Sequence, residues 1–227
     1  MFYYDYYLYM IPAFLLMLIT QWYVSSAYKK WSKVPNRLRI TGLEAAERLI
    51  RAAGLYDIHI ERVGGKLSDH YDPRKKILRL STNVADTASV SSLAIAAHEL
   101  GHAMQDQENY APLKLRAALV PAVNIGSYLG WILIFIGLLL KMTDLAWLGL
   151  LVFSGGAVFA LATLPVELNA SARARFLLTE TGLITDEEES RGVRNVLTAA
   201  SLTYVAALVT AIMQLLYFAS MISGRRR

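Results

Sequence analysis

His98-Glu99-Leu100-Gly101-His102 is an H-E-x-x-H pattern, present once in a chain of 227 residues. On a helix, residues four apart share a face, so the two imidazoles can reach one Zn²⁺. Glu99 follows His98 directly and stays close enough to act as a base on a zinc-activated water. The chemistry that fits this spacing is metal-assisted hydrolysis. The bland alternative is a helix with a polar face and two incidental histidines. With only four histidines in the chain, that alternative has little room.

A catalytic zinc takes three protein ligands and keeps one position open. The chain has no cysteine, so thiolate ligation and a disulfide framework are both excluded. The third ligand must be histidine or carboxylate. His59 and His70 are the remaining histidines. Among the carboxylates Glu167 stands out: it is the first ionisable residue after the third apolar stretch, close to Pro165, at the head of an expected helix. An acid at a helix N-terminus can also simply favour the macrodipole.

The elements that must position these residues lie in an apolar chain. Hydrophobic residues make up 55% of it and the mean hydropathy is +0.36, against about 45–50% apolar in a typical soluble domain. The excess gathers in four stretches free of Asp, Glu, Lys and Arg: Leu8–Ala27, Ala117–Leu140, Leu145–Leu164 and Val196–Ile222. Each is about the ~20 residues that a bilayer core requires, and they are read as four transmembrane helices. Buried soluble helices are the competing reading. The second and third stretches are too long and too uniformly apolar for it, whereas Gln, Ser and Thr in the other two leave it more room. No basic region precedes the first stretch, and Tyr3, Tyr4, Tyr6, Tyr7 and Tyr9 suit an interfacial belt, so it reads as a span rather than a cleaved leader.

The net charge of +5 is not read as a nucleic-acid footprint, because the basic residues flank the spans. Lys29, Lys30, Lys33, Arg37 and Arg39 follow the first; Lys114 and Arg116 precede the second; Arg173, Arg175, Arg191 and Arg194 lie between the third and fourth. Between the second and third there is only Lys141. The positive-inside rule then places both large polar segments in the cytoplasm and the N-terminus outside. The tail Arg225–Arg227 runs against this, since four crossings put it outside; either it is tolerated or one outer stretch is not a full crossing. The second and third spans form a hairpin, which returns the chain to the face it left. That puts the motif helix and Glu167 on one side, near the membrane surface, and favours Glu167 as the ligand.

In the first polar segment, Thr41 and Glu44 have capping-box spacing before a helical repeat that Gly54 closes. Ile58–Val63 and Lys76–Ser81 read as strands, Asp69–Pro73 as a loop between them, and Leu93–Gln107 as a helix capped by Ser91 or Ser92. Gly101 inside that helix costs about 1 kcal/mol relative to alanine, so its small size should be rewarded by close approach of another backbone. A helix is expected after Pro165 up to about Thr181, with Gly182 ending it and Asp186–Glu189 opening the next.

With Glu167-Leu168-Asn169-Ala170-Ser171 added to Ala97–Ala103 and Asp69–Pro73, the chain resembles the gluzincin-type membrane metallopeptidases over nearly its whole length. HtpX-like proteases are the broad relatives, and the YugP-like family of bacterial membrane zinc peptidases is the nearer match. The resemblance implies His98, His102 and Glu167 as zinc ligands and Glu99 as the catalyst. HtpX-like proteins carry an aspartate four residues after the ligand glutamate, commonly orienting a ligating histidine; Ser171 stands there in this chain. Asn169, Ser171 or a backbone carbonyl can take over that task.

The fold class expected is membrane α-helical, with about four transmembrane helices and a small α+β zincin-like cytosolic domain. Residues 1–28 form the first transmembrane helix, 29–116 the cytosolic domain with the motif helix, and 117–164 the membrane hairpin. Residues 165–195 form the helix with the third ligand, and 196–227 the last transmembrane helix and basic tail. The function expected is an integral-membrane, zinc-dependent endopeptidase. It would act from the cytoplasmic face of the cell membrane on peptide or membrane-protein substrates, alone or with a homo-oligomeric or membrane-protein partner, and without nucleic acid. A zinc-binding scaffold with weak or no activity is the alternative, although it would have no need of Glu99. A transporter is disfavoured because no charge lies within the spans. His70 is a candidate oxyanion donor or a surface histidine, and His59 reads as structural. Lys76–Ser81 is either a substrate-pairing edge or an ordinary strand. Asn124, Gln214, Ser201, Thr203 and Thr210 suit helix packing better than a cavity. Gly126 and Gly130 have GxxxG spacing, which points to close packing within the chain or with a partner.

Overall fold

The computed structural model describes residues 2–224, with side chains from Tyr6 onward, so the tail Arg225–Arg227 lies outside the described residues. In chain order the elements are α1 (Phe2–Trp31), α2 (Gly42–Ala53), β1 (His59–Val63), β2 (His70–Asp72), β3 (Ile77–Ser81) and α3 (Thr82–Ala85). There follow α4 (Val90–Gln107), α5 (Ala111–Leu139), α6 (Thr143–Phe153), α7 (Gly155–Glu180) and α8 (Glu187–Gly224). The architecture is membrane-helical with a small α+β part, as the sequence implies. Four helical segments are long and apolar enough to cross a membrane: Tyr6–Trp31, Ala111–Leu139, Thr143–Glu180 and Glu187–Gly224. The third is made of α6 and α7, which meet at Ser154.

The chain forms two compact units. One comprises Met1–Gln21, Lys114–Pro165 and Thr203–Arg227. Its outward side chains, Phe14, Ile125 and Leu151 among them, are large, apolar and exposed, as lipid-facing positions should be. Inside it, α5 and α6 touch along glycines. A Cβ on Gly130 would meet Phe153 N at 2.6 Å and Gly149 O at 2.8 Å, and one on Gly137 would meet Ala146 N at 2.5 Å. Small residues let the two backbones approach, which is how helices associate where water supplies no hydrophobic drive. The GxxxG spacing therefore serves packing within the chain, through Gly130 more than Gly126, whose nearest contact is Val152 O at 3.5 Å.

The other unit comprises Trp22–Leu113 and Val166–Leu202. Its sheet has the order β1-β3-β2, with β1 parallel and β2 antiparallel to β3. The capping box forms as expected, Thr41 Oγ1 accepting from Glu44 N and Glu44 accepting from Thr41 N, and Gly54 closes α2 at φ +67°. Helix α4 is the core of this unit, with α2, α3, β2 and β3 all packing on it. Eleven of its residues are buried, and the small side chains of Ala94, Ala96, Ala97 and Ala103 admit neighbours on several sides.

Three elements begin, end or form differently from the sequence reading. Helix α4 begins a turn earlier than expected: Ser89 is its N-cap and accepts from Ser92 N, leaving Ser91 and Ser92 in the first turn. The stretch expected as a loop contains strand β2. Asp72 and Pro73 do make the turn, with Asp72 Oδ1 accepting from Arg74 N and Lys75 N and Lys76 closing it at φ +55°. The three residues before it are ordered by pairing with β3, a tertiary contact that local propensity does not encode. Finally, Pro165 does not start a helix. It lies inside α7, where a proline removes one hydrogen bond and is tolerated when the surroundings hold the helix.

Candidate metal centre

Glu167 therefore sits in the interior of α7, far from the positive end of the helix dipole, and the macrodipole explanation for it falls away. One close approach decides where it points. A Cβ on Gly101 would lie 2.5 Å from Ala170 O, so the glycine lets α7 cross directly over the motif helix, as its cost within a helix suggested. Glu167, one turn before Ala170, then meets the face carrying both histidines. Its Oε2 lies 3.3 Å from His98 Nε2 and 3.5 Å from His102 Nε2, and ligand atoms of all three residues fall within 4.8 Å of one another. A tetrahedral zinc with bonds of about 2.0–2.1 Å spaces its ligand atoms about 3.3 Å apart. The donor set, the spacing and the burial of Glu167, which is 2% exposed, fit such an ion.

The far nitrogens of both imidazoles are held by side chains. His102 Nδ1 lies 3.1 Å from Gln105 Oε1. Gln105 is fully buried, and its Nε2 donates to Val166 O at 2.8 Å and to Asn169 Oδ1 at 2.9 Å. Because Val166 O can only accept, the amide orientation is fixed, Oε1 faces the imidazole, and His102 must carry its proton on Nδ1. The Nε2 lone pair is thereby left for a metal. Asn169 Oδ1 also accepts from Arg173 Nε at 2.7 Å, and Arg173 forms a bidentate pair with Glu108, both contacts at 2.6 Å. His98 Nδ1 lies 3.2 Å from Ser171 Oγ; Ser171 Oγ is 3.5 Å from Ser201 Oγ, which donates to Leu197 O at 2.9 Å. A chain of donors running outward from His98 again leaves Nε2 bare. Ser171 thus takes the place of the aspartate that HtpX-like proteins carry, and Asn169 acts through Gln105.

Burial disfavours a charged His102, but its hydrogen bond with Glu167 and the charges of Glu99 and Glu167 outweigh that, so its pKa is raised. Glu99 Oε2 accepts from Tyr71 N at 3.0 Å, which fixes the candidate base against β2. Tyr71 Oη donates to Asp106 at 2.9 Å, and Lys76 Nζ donates to the same carboxylate at 2.7 Å. Burial and that hydrogen bond to Asp106 push the Tyr71 phenol well above its ordinary range.

His70 is not gathered into this group. It is exposed, with Nδ1 2.8 Å from Ser68 O and Nε2 3.2 Å from Arg79 Nη1. His59 is exposed on β1. Strand β3 is the central strand, paired on both sides, so the reading of Lys76–Ser81 as a substrate-pairing edge is wrong. Sequence reasoning missed Gln105 and the Tyr71 amide. The spacing of Gln105, three residues after His102, was the only available hint.

Residues 6–223 match a family described as "Putative neutral zinc metallopeptidase". The chain is 44% identical over 208 residues to "Putative membrane protease YugP" of Bacillus subtilis (strain 168), an alignment covering 92% of each chain. No solved structure matches it.

Proposed function

Because the chain belongs to the YugP-like family of membrane zinc peptidases, we propose that it is a multi-pass, integral-membrane zinc endopeptidase in which His98, His102 and Glu167 hold the metal and Glu99 is the catalytic residue. The observation that carries this reading is the convergence of the two Nε2 atoms on Glu167 Oε2 beside a glutamate held by a backbone amide. A bound zinc supplies Lewis acidity that polarises the scissile carbonyl and acidifies water toward neutral pH. Glu99 accepts the proton of the attacking water and delivers it to the departing amine. The Tyr71 N–H steadies one oxygen of Glu99, leaving the other for that exchange. Gln105 and Ser171 keep both imidazoles in the ligating tautomer. An extended peptide can lie along β2, the sheet edge packed on α4.

The distribution of Lys and Arg around the spans supports a cytoplasmic active site. A site carried by segments that adjoin spans suits membrane proteins or juxtamembrane segments as substrates.

Zinc content of the purified protein, with cleavage of a membrane-anchored reporter, tests the reading. Stoichiometric zinc should be lost in His98→Ala and in Glu167→Ala. Glu99→Gln should keep the metal and lose about 10²–10⁴-fold in rate. Zinc retained in Glu167→Ala would reassign the third ligand, and undiminished cleavage in Glu99→Gln would sink the mechanism.

A further inference from the structure

Helix α5 packs against α6 through Gly130 and Gly137, whereas Asn124 lies on another side of α5 and is exposed. Its amide has no hydrogen-bond partner among the described residues, and neither has the hydroxyl of Tyr128, one turn on and 79% exposed. Both lie within the apolar stretch Ala117–Leu140. At a rise of about 1.5 Å per residue, Asn124 is about 10 Å and Tyr128 about 16 Å inside it. A short amide side chain at that depth reaches neither headgroups nor bulk water. Hydrocarbon offers it no donor or acceptor, so leaving it bare is costly. Whatever covers Asn124 must bring hydrogen-bonding atoms to the same depth.

The residues around it have a regular spacing. Ala117, Pro121, Asn124, Tyr128, Trp131 and Phe135 follow one another at alternate steps of four and three, and all six are exposed. Such a stripe is the seam of a left-handed helix pair, in which a single polar residue fixes the register. Trp131 and Phe135 stack with ring centroids 6.0 Å apart and planes 7° apart, so one end of the seam is an ordered apolar surface.

The chemistry of Asn124 selects the partner. Copies of one chain insert in one orientation, so a two-fold axis along the membrane normal sets this amide opposite its own copy at equal depth. A carboxamide holds both donor and acceptor, so two of them satisfy each other. A foreign helix would need a matching group at that same depth. We propose that α5 is a dimerisation surface, pairing along this seam with α5 of a second copy of the chain, with the two Asn124 amides as the central contact. The pairing rests on α5 crossing the bilayer and not on hydrolysis.

The chain has no cysteine, so a disulfide between copies reports only the residue introduced. In liposomes holding the full-length protein, Phe135→Cys should oxidise to a covalent dimer. Leu129→Cys, exposed on the same helix but off the seam, should not. Energy transfer between Lys141→Cys chains carrying donor and acceptor dyes measures the pairing reversibly. Asn124→Leu should raise the protein-to-lipid ratio needed for half-pairing about 5–30-fold, and Asn124→Gln, which keeps the amide, should stay close to the wild type. The wild type and each variant should resist alkaline extraction; a protein that washes out would lack the span on which the pairing rests, whatever its zinc content. Absence of energy transfer at every ratio would overturn the proposal, as would unchanged pairing in Asn124→Leu or equal disulfide formation at Leu129→Cys. In native membranes, a Phe135→Cys adduct whose mass is not twice that of the chain would give the seam to a different helix and overturn it too.

Discussion

Gln105 does for His102 what Ser171 does for His98: each accepts the Nδ1 proton and so leaves Nε2 free to ligate. Gln105→Leu removes that acceptor and frees Val166 O and Asn169, and zinc affinity should fall about 10–100-fold, measured by competition with a chromogenic chelator. The raised pKa of His102 gives affinity a pH dependence of definite sign. Ligation needs the neutral imidazole, so below the raised pKa a proton competes with the metal. Apparent zinc affinity should climb as pH rises through that pKa and level off above it, visible in the same titration repeated across pH. At this scale the sequence was legible where spacing carried the information. His98, Glu99 and His102 announce themselves within one helical turn. Gln105 does not, because the groups that fix its orientation lie about sixty residues away, on α7.

Between elements, the closest fit is where α4 and α7 cross. Gly101→Ala would drive a Cβ into the Ala170 carbonyl. Separating the helices should cost ~1–3 kcal/mol and move Glu167 away from the histidines, so zinc content and thermal stability should fall together. Strand β2 is tied to α4 at both ends of one residue, by Tyr71 N on Glu99 and Tyr71 Oη on Asp106. Tyr71→Phe cuts only the second tie. Stability should drop by ~1 kcal/mol while zinc content is unchanged, which denaturation and metal analysis of the same sample would check. The elements with strong local signals, such as the Thr41/Glu44 cap with Gly54 and the apolar stretches, could be read from the chain. Strand β2 could not: three polar residues before a turn have no periodicity, and only β3 and α4 make them a strand.

For the whole molecule, the orientation read from Lys and Arg can be tested directly, because a chain without cysteine reports on any single cysteine introduced. In intact cells a membrane-impermeant maleimide should label Lys141→Cys, between the second and third spans, and spare Lys75→Cys until the cells are opened. The reverse pattern would put the metal centre on the outer face. The apolar spans were legible from sequence over the full length, and so was the grouping of His98, His102 and Glu167 that could hold a metal. The sheet order was not, because register is decided by which strand finds a partner on each side, and β3 finds two.

The helices that carry the ligands are separated in the chain by α5 and α6, whereas His98 and His102 lie on the earlier one and Glu167 on the later. On the topology read here, Glu167 can reach the histidines only after the intervening hairpin has crossed the membrane and returned. A chain still being threaded would have two of the proposed ligands and not the third. On the proposed function, hydrolysis would therefore stay latent during biogenesis, and return of that hairpin, before the last span Glu187–Gly224 is made, would be what arms it.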